Sequence, residues 1–306
     1  MSKVEQLLQS LNAFIQKAEE EDDEKLTDVV PDFPGLEILP KIVEDYEKKI
    51  AKLLRNQRKL YLKEMKAFVS KDDKPTLEAI LQYFTNNLFA TDEFAEEFGE
   101  VTAEFLQLTI EELCKKLMES IDPDIPFVET STQTTNWVKD WSTKLADLMQ
   151  LNTHKAIEKV LTDAIENGDS IQDVELKMKD LPEFDRKRAR TTAITEILTA
   201  SSRAQWESYM QSPAVVKKKW KHSGSKKNQP RENHVAMDGV EVGVDEEFKI
   251  EGSGETCQYP RDPSLSAKER VNCHCTMGPV VDESILGLSQ EEKEQLRQEA
   301  LKELNS

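Results

Sequence analysis

From Lys41 to Met210 apolar side chains recur every three or four residues, the spacing that lines one face of an α-helix. In residues 41–69 the stripe is Val43, Tyr46, Ile50, Leu53, Leu60 and Ala67, which fit heptad a and d places, with Gln57 and Glu64 interrupting the seam. This predicts an amphipathic helix of about eight turns, whose stripe must be covered by a helix of the same chain or by a partner. Residues 76–119 continue through Leu77, Ile80, Leu81, Phe84 and Leu88, then Phe94, Phe98, Val101, Phe105 and Leu108, until Asp122-Pro123 and Ile125-Pro126 end the block. Residues 134–167 follow with Trp137, Trp141, Leu145, Leu148, Met149, Ile157, Val160, Leu161 and Ile165. Asn167-Gly168 reads as a helix stop, Ser170 with Asp173 as a capping box, and Pro182 as the first turn of a helix running to about Met210.

After Pro213 that pattern stops. Seven of the ten glycines lie beyond it, between short β-like pieces at Val215-Val216, Trp220, Val240-Glu241-Val242, Phe248 and Val280-Val281. Residues 289–303 return to a charged helix capped by Ser289. At the other end, Val4, Leu7, Leu8, Leu11 and Ile15 pattern as a short helix, followed by six acids at Glu19–Glu24 and a stretch with Pro31, Pro34, Gly35 and Pro40. The expected fold is a mainly α N-terminal region with a small α+β C-terminal module. Its predicted divisions are a short helix, acidic run and linker at 1–40, a helical domain at 41–167, the module at 168–282 and a terminal helix at 283–306.

The chain is acidic, with a formal net charge of −18. That excludes a uniformly basic nucleic-acid coat but leaves room for a local site, because charge is segregated. Residues 186–231 hold twelve bases (Arg186, Lys187, Arg188, Arg190, Arg203, Lys217, Lys218, Lys219, Lys221, Lys226, Lys227 and Arg231) against two acids, Glu196 and Glu207. Trp206, Tyr209 and Trp220 lie among them, and aromatics can stack on bases or pack under charged stems. Such an island suits sequence-blind phosphate contact, since each neutralised phosphate releases counterions. Pairing with acidic helices, or a merely solvated face, are the alternatives.

Cys257, Cys273 and Cys275 crowd into one loop-rich stretch near His222, His234 and His274. Thiolates and imidazoles in sets of four suit zinc, and residues 273 and 275 of an extended segment point to one side. Cys257, Cys273, Cys275 and His234 form the candidate metal set, with His222 or His274 in reserve. A Cys-x-Cys pair is less diagnostic than paired Cys-x-x-Cys knuckles, and core-filling thiols or a disulfide are the alternatives. No other cofactor is expected. There is no phosphate-cradling Gly-x-x-x-x-Gly-Lys loop, no Gly-x-Ser-x-Gly elbow and no His-Glu-x-x-His pair. The start of the chain lacks a basic region followed by an apolar one, and no run approaches the roughly 18 apolar residues of a membrane helix. The expectation is cytosolic synthesis with no membrane partner.

The order of short motifs in residues 160–281 is more specific than any one of them. "LTDAIENGDS" at Leu161–Ser170 leads to "RARTTAITE" at Arg188–Glu196, then Trp220, "RENHVAMDG" at Arg231–Gly239, Phe248, "YPRDP" at Tyr259–Pro263 and "NCHC" at Asn272–Cys275. In this order the chain resembles the phage Mu F-like head morphogenesis family of minor head (minor capsid) proteins, in particular the portal-associated members from siphophages of Gram-positive hosts. Two positions depart from the family pattern: Ile194 stands where an arginine usually precedes the Thr-Glu pair, and His274 replaces the arginine of Asn-Cys-Arg-Cys.

The resemblance implies a minor virion component rather than an enzyme. Its partners would be the portal protein, other capsid proteins and, non-specifically, double-stranded DNA, with a role in DNA positioning or delivery. Its place would be the head interior near the portal vertex, and the host cytoplasm during assembly. The resemblance also implies that Arg231, His234, Asp238, Gly239, Asn272, Cys273 and Cys275 shape the C-terminal module. Two rival readings stand beside it. One is a metal-dependent nuclease or thiol hydrolase using His234, Asp238, Cys257 and Cys273, with Glu255 as a further metal ligand; the other is a scaffold without DNA contact.

Overall fold

The computed structural model describes residues 26–71, 74–224, 231–271 and 273–305. The helix and acidic run expected within residues 1–24 lie outside them. A long helical N-terminal region precedes a few antiparallel strands in the C-terminal region. The helices are α1 (Leu26–Val29), α2 (Leu39–Lys71), α3 (Leu77–Tyr83), α4 (Phe94–Ile121), α5 (Thr132–Asn167), α6 (Ile171–Lys179) and α7 (Arg186–Gln211). Then come β1 (Val215–Lys221), α8 (Glu232–Ala236), β2 (Glu241–Gly243), β3 (Phe248–Lys249), β4 (Thr256–Cys257), α9 (Ala267–Arg270), β5 (Thr276–Val281), α10 (Glu283–Leu286) and α11 (Gln290–Leu304). Ser170 with Asp173 and Ser289 with Glu292 form the capping boxes that start α6 and α11. Pro182 opens a 3-10 turn, Pro182–Phe184, ahead of α7. Among the described residues, no helix is long and apolar enough to cross a membrane.

The heptad frame expected on α2 gives way to a different period. Apart from Leu39 at its start and Glu47, which meets Arg186 and Arg190, the buried positions are Val43, Tyr46, Ile50, Leu54, Gln57, Tyr61 and Met65. These advance by three, four and four residues and repeat every eleven. A helix at 3.6 residues per turn drifts about 20° per heptad, so beyond Ile50 the covered stripe leaves Leu53, Leu60 and Ala67 half-buried. Because this chain itself covers the stripe, α2 offers no free apolar seam to a partner helix.

The chain forms two compact units, and each draws on separate stretches rather than on the consecutive divisions read from the sequence. One comprises Glu44–Ala103 and Trp141–Ala193. The other takes the described chain up to Val43, Glu104–Asp140 and the chain from Ile194 onward.

In the first, all-helical unit, Tyr61 and Met65 of α2, Ile80 of α3, Ile157 and Leu161 of α5, and Val174 and Met178 of α6 share one core. Asp92, just before α4, is its polar centre. The carboxylate accepts from Gln57 Nε2 at 2.7 Å, from the Tyr61 hydroxyl and from the Phe94 amide at 3.1 Å, and lies 2.9 Å from His154 Nε2.

The second unit holds an antiparallel sheet of order β2-β1-β5 and a separate β3-β4 pair. An irregularity between Val215 and Lys217 leaves Val216 exposed. Lys218 and Trp220 then point inward, while Lys217, Lys219 and Lys221 share the opposite face. Trp220 and Met277 meet Trp206 and Tyr209 of α7 in a core that includes Phe248, Cys257, Tyr259 and Leu304. The Gln205 side-chain oxygen pins β5 to α7 by accepting from the Thr276 hydroxyl at 2.8 Å and the Met277 amide at 3.1 Å.

Candidate functional site

Three of the four residues expected to hold a metal come together. His234 is carried on α8, and Cys273 and Cys275 flank one residue just before β5. Separated by one residue, both sulfurs face the His234 ring. His234 Nδ1 lies 3.5 Å from Cys273 Sγ and 3.8 Å from Cys275 Sγ, and the three ligand atoms all fall within 4.8 Å of one another. On its other side, His234 Nε2 is 3.0 Å from a Glu269 carboxylate oxygen, which also accepts from Asn233 Nδ2 at 2.9 Å. His234, Glu269, Cys273 and Cys275 are all buried.

Arg261 holds the cysteine stretch in place. One guanidinium nitrogen donates to the carbonyls of both Cys273 and Cys275 at 2.6 Å, and another donates to the Ser202 hydroxyl at 2.6 Å. Burial pulls the guanidinium below its ordinary pKa, and the charge of Cys273 and Cys275 pushes back. The two thiols act on each other in opposite directions. The hydrogen bond from Cys275, with His234 and Arg261 nearby, draws Cys273 well below the ordinary thiol range, while Cys275 is held above it by its hydrogen bond to Cys273 and by burial.

The fourth expected ligand, Cys257, sits in the same core but outside this cluster, and burial pushes its thiol up. The reserve ligands are also elsewhere: His222 Nδ1 accepts from the Gly224 amide, and among the described residues the cluster does not include His274. The side chains of the nuclease reading are dispersed. Asp238 accepts from the His222 amide, and Glu255 accepts from the amide and hydroxyl of Ser266. Cys273, His234 and Glu269 do form a thiol–imidazole–carboxylate line, but a substrate would have to open the module to reach either sulfur.

The basic island is split between inside and outside. Arg188, Arg203 and Lys218 must be removed from any phosphate-binding face, because each is buried. Arg188 donates to the Thr153 hydroxyl and to the Glu183 and Met149 carbonyls, and burial lowers its pKa to about 10. Arg203 lies over the Trp206 ring at 4.2 Å and donates to the Thr134 hydroxyl at 2.9 Å. Lys218 Nζ donates to Gln258 at 2.6 Å and lies 5.4 Å from the Phe248 ring centre.

Others remain at the surface. In the helical unit Arg186 and Arg190 converge on the single carboxylate of Glu47 at 2.7 and 3.2 Å, and Lys187 is exposed. Arg186 also lines a cleft of about 380 Å³ with Arg55, Arg58 and Lys179 against Asp180 and Asp185, a concavity of net positive charge that sequence pattern did not single out. In the other unit Lys217 and Lys219 share Glu241 at 3.9 and 2.7 Å. Lys221 runs beside Gly278, where an added Cβ would meet its Cε at 2.6 Å. Arg231 donates to the Val271 carbonyl. Lys226, Lys227 and Asn272 lie outside the described residues.

Comparison with known proteins matches residues 155–278 to the model of the family described as Phage Mu protein F like protein. A Bacillus subtilis (strain 168) protein, described as "Uncharacterized protein YqbB", is 63% identical over 301 residues, covering 98% of this chain and 99% of that one. An Enterococcus faecalis (strain ATCC 700802 / V583) protein named NAD(+)--arginine ADP-ribosyltransferase EFV is 34% identical over 118 residues. That match spans 38% of this chain and 23% of that protein, so its named activity is not carried over. No solved structure gives a significant match.

Proposed function

Because the chain belongs to the phage Mu protein F-like family, we propose that it is a minor head protein that docks on the portal and holds double-stranded DNA without reading its sequence. A role in phage head morphogenesis, as part of the virion with capsid-related partners, follows from the family. Portal docking, DNA contact and a place inside the head near the portal vertex are the finer parts of the reading.

The observation that carries DNA contact is the outward row of Lys217, Lys219 and Lys221 on β1. Two of these lysines face one acid, Glu241, so the row keeps a net positive charge. Arg186, Lys187 and Arg190, set against the single Glu47, and the cleft beside Arg55 and Arg58 give the helical unit a basic surface of its own. Exposed cations without a base-reading element suit phosphates of any sequence. The acidic remainder of the chain would meet the portal.

Retention of a DNA duplex across a salt series tests this. Replacing Lys217, Lys219 and Lys221 by glutamine is expected to weaken retention and reduce the salt slope by about 3. No retention of the unaltered chain at any salt would favour the scaffold reading, an unchanged slope would take the DNA contact away from β1, and divalent-ion-dependent cleavage of the duplex would favour the nuclease. Co-purification with the portal protein of the same phage at graded salt tests the docking, and loss of the complex at every salt concentration would remove it.

A further inference from the structure

We propose that His234, Cys273 and Cys275 bind a zinc ion that locks the C-terminal module, with Cys257 completing the site. The donor set is soft and of the kind zinc prefers. Zinc–sulfur and zinc–nitrogen bonds of about 2.3 and 2.0 Å in a tetrahedron place ligand atoms roughly 3.5 Å apart. The nitrogen–sulfur separations of 3.5 and 3.8 Å fit that edge.

The surroundings are built for a cation. Glu269 occupies the far nitrogen of the imidazole, the outer contact by which ligating histidines are usually aimed. Arg261 clasps the carbonyls on both sides of residue 274 and so fixes both cysteines. A divalent ion with the thiolates of Cys273 and Cys275, the Glu269 carboxylate and the Arg261 guanidinium makes an electrically neutral buried set, as a low-dielectric interior demands, and a Cys257 thiolate would leave it one charge negative. Cys257 is the remaining thiol of the same core; its sulfur lies outside the 4.8 Å group and would have to move in to take the fourth position. Because the ligands are buried, the ion would be structural, closed to substrate.

The chain purified under reducing conditions without chelator is expected to contain about one zinc per molecule. Cobalt(II) added to the metal-free chain should produce a sulfur-to-cobalt charge-transfer band and the strong visible absorption of a tetrahedral site. Cys273→Ser and Cys275→Ser should abolish the band, and Cys257→Ser should weaken and shift it. Cys114→Ser, whose thiol contacts the Ala204 carbonyl outside this cluster, should leave it intact. Should the cysteine variants fail to fold, the wild-type chain decides the matter, since zinc should raise its melting temperature and a chelator should lower it. Wild-type chain with neither zinc nor a cobalt–thiolate band overturns the proposal, and an unchanged cobalt spectrum in Cys257→Ser overturns the fourth ligand.

Discussion

His234 presents Nε2 to the Glu269 carboxylate at 3.0 Å, with both side chains shut away from solvent. A carboxylate only accepts, so Nε2 carries the proton between them, and with zinc bound Nδ1 would turn its lone pair to the ion. Asn233 secures the acid by donating to the same oxygen at 2.9 Å. Glu269→Gln would leave an amide that can present either end and would remove this preference. Zinc affinity is expected to fall about 10- to 100-fold, as read by competition with a chromogenic chelator. Unchanged affinity would detach Glu269 from the site.

Arg261 is the one non-glycine among the described residues with positive φ, +68°. A left-handed conformation costs an L-residue about 1–2 kcal/mol. The fork of bonds to the Cys273 and Cys275 carbonyls and the Ser202 hydroxyl offsets that cost. Lysine keeps the charge but has no planar fork, so Arg261→Lys is expected to lower unfolding stability by about 3 kcal/mol. Urea denaturation measures this, and a loss under about 0.5 kcal/mol, the range of ordinary surface changes, would deny the clamp.

Much of this was legible because it rests on short-range rules. The Ser170–Asp173 and Ser289 caps, the amphipathic character of α2 and the nearness of Cys273 to Cys275 follow from spacing, whereas the eleven-residue repeat of α2 and the meeting of those cysteines with His234 rather than His222, His274 or Cys257 do not. What spacing could not show was the inside of α7. Thr199, Ser201, Ser202, Gln205, Glu207, Ser208 and Gln211 look like a solvated helix, yet all are buried. Their partners are distant in sequence: Glu207 accepts from the amide and hydroxyl of Ser131, at the start of α5, and Gln205 holds β5. Polar side chains enter a core when their hydrogen bonds are met there, and that depends on tertiary contacts. The same blindness kept Arg188, Arg203 and Lys218 among the surface bases and left Glu269 and Arg261 unremarked.

Lys218 carries a pH signature. Burial lowers its pKa from 10.5 to about 8. Between those values the unfolded chain holds a proton that the folded chain has released, so this group makes stability rise with pH from about 8 to 10.5. Its full swing is at most about 3 kcal/mol. Lys218→Met should therefore be more stable than wild type at pH 7, with the advantage shrinking toward pH 10. Urea unfolding of both proteins at the two pH values isolates the lysine, and a constant difference would place its ammonium group in water.

Asp92 makes the opposite, acid-side test in the helical unit. Burial works against its charge, but hydrogen bonds from His154, Tyr61 and Gln57, with the Phe94 amide, outweigh burial and hold its pKa below 3.8. Its contribution to stability is thus present above the unfolded pKa and is lost as pH falls through the lower folded value. Asp92→Asn keeps the size but turns two of the acceptor's lone-pair sites into donors facing Gln57 and Tyr61, which donate already. The substitution should cost about 3 kcal/mol at pH 7 and flatten the loss of stability on acidification below pH 3.8. Chemical denaturation at pH 7 and pH 3 reads both effects. If wild type and variant lost stability in parallel on acidification, the Asp92 carboxylate would not be the group that the surrounding donors hold ionised.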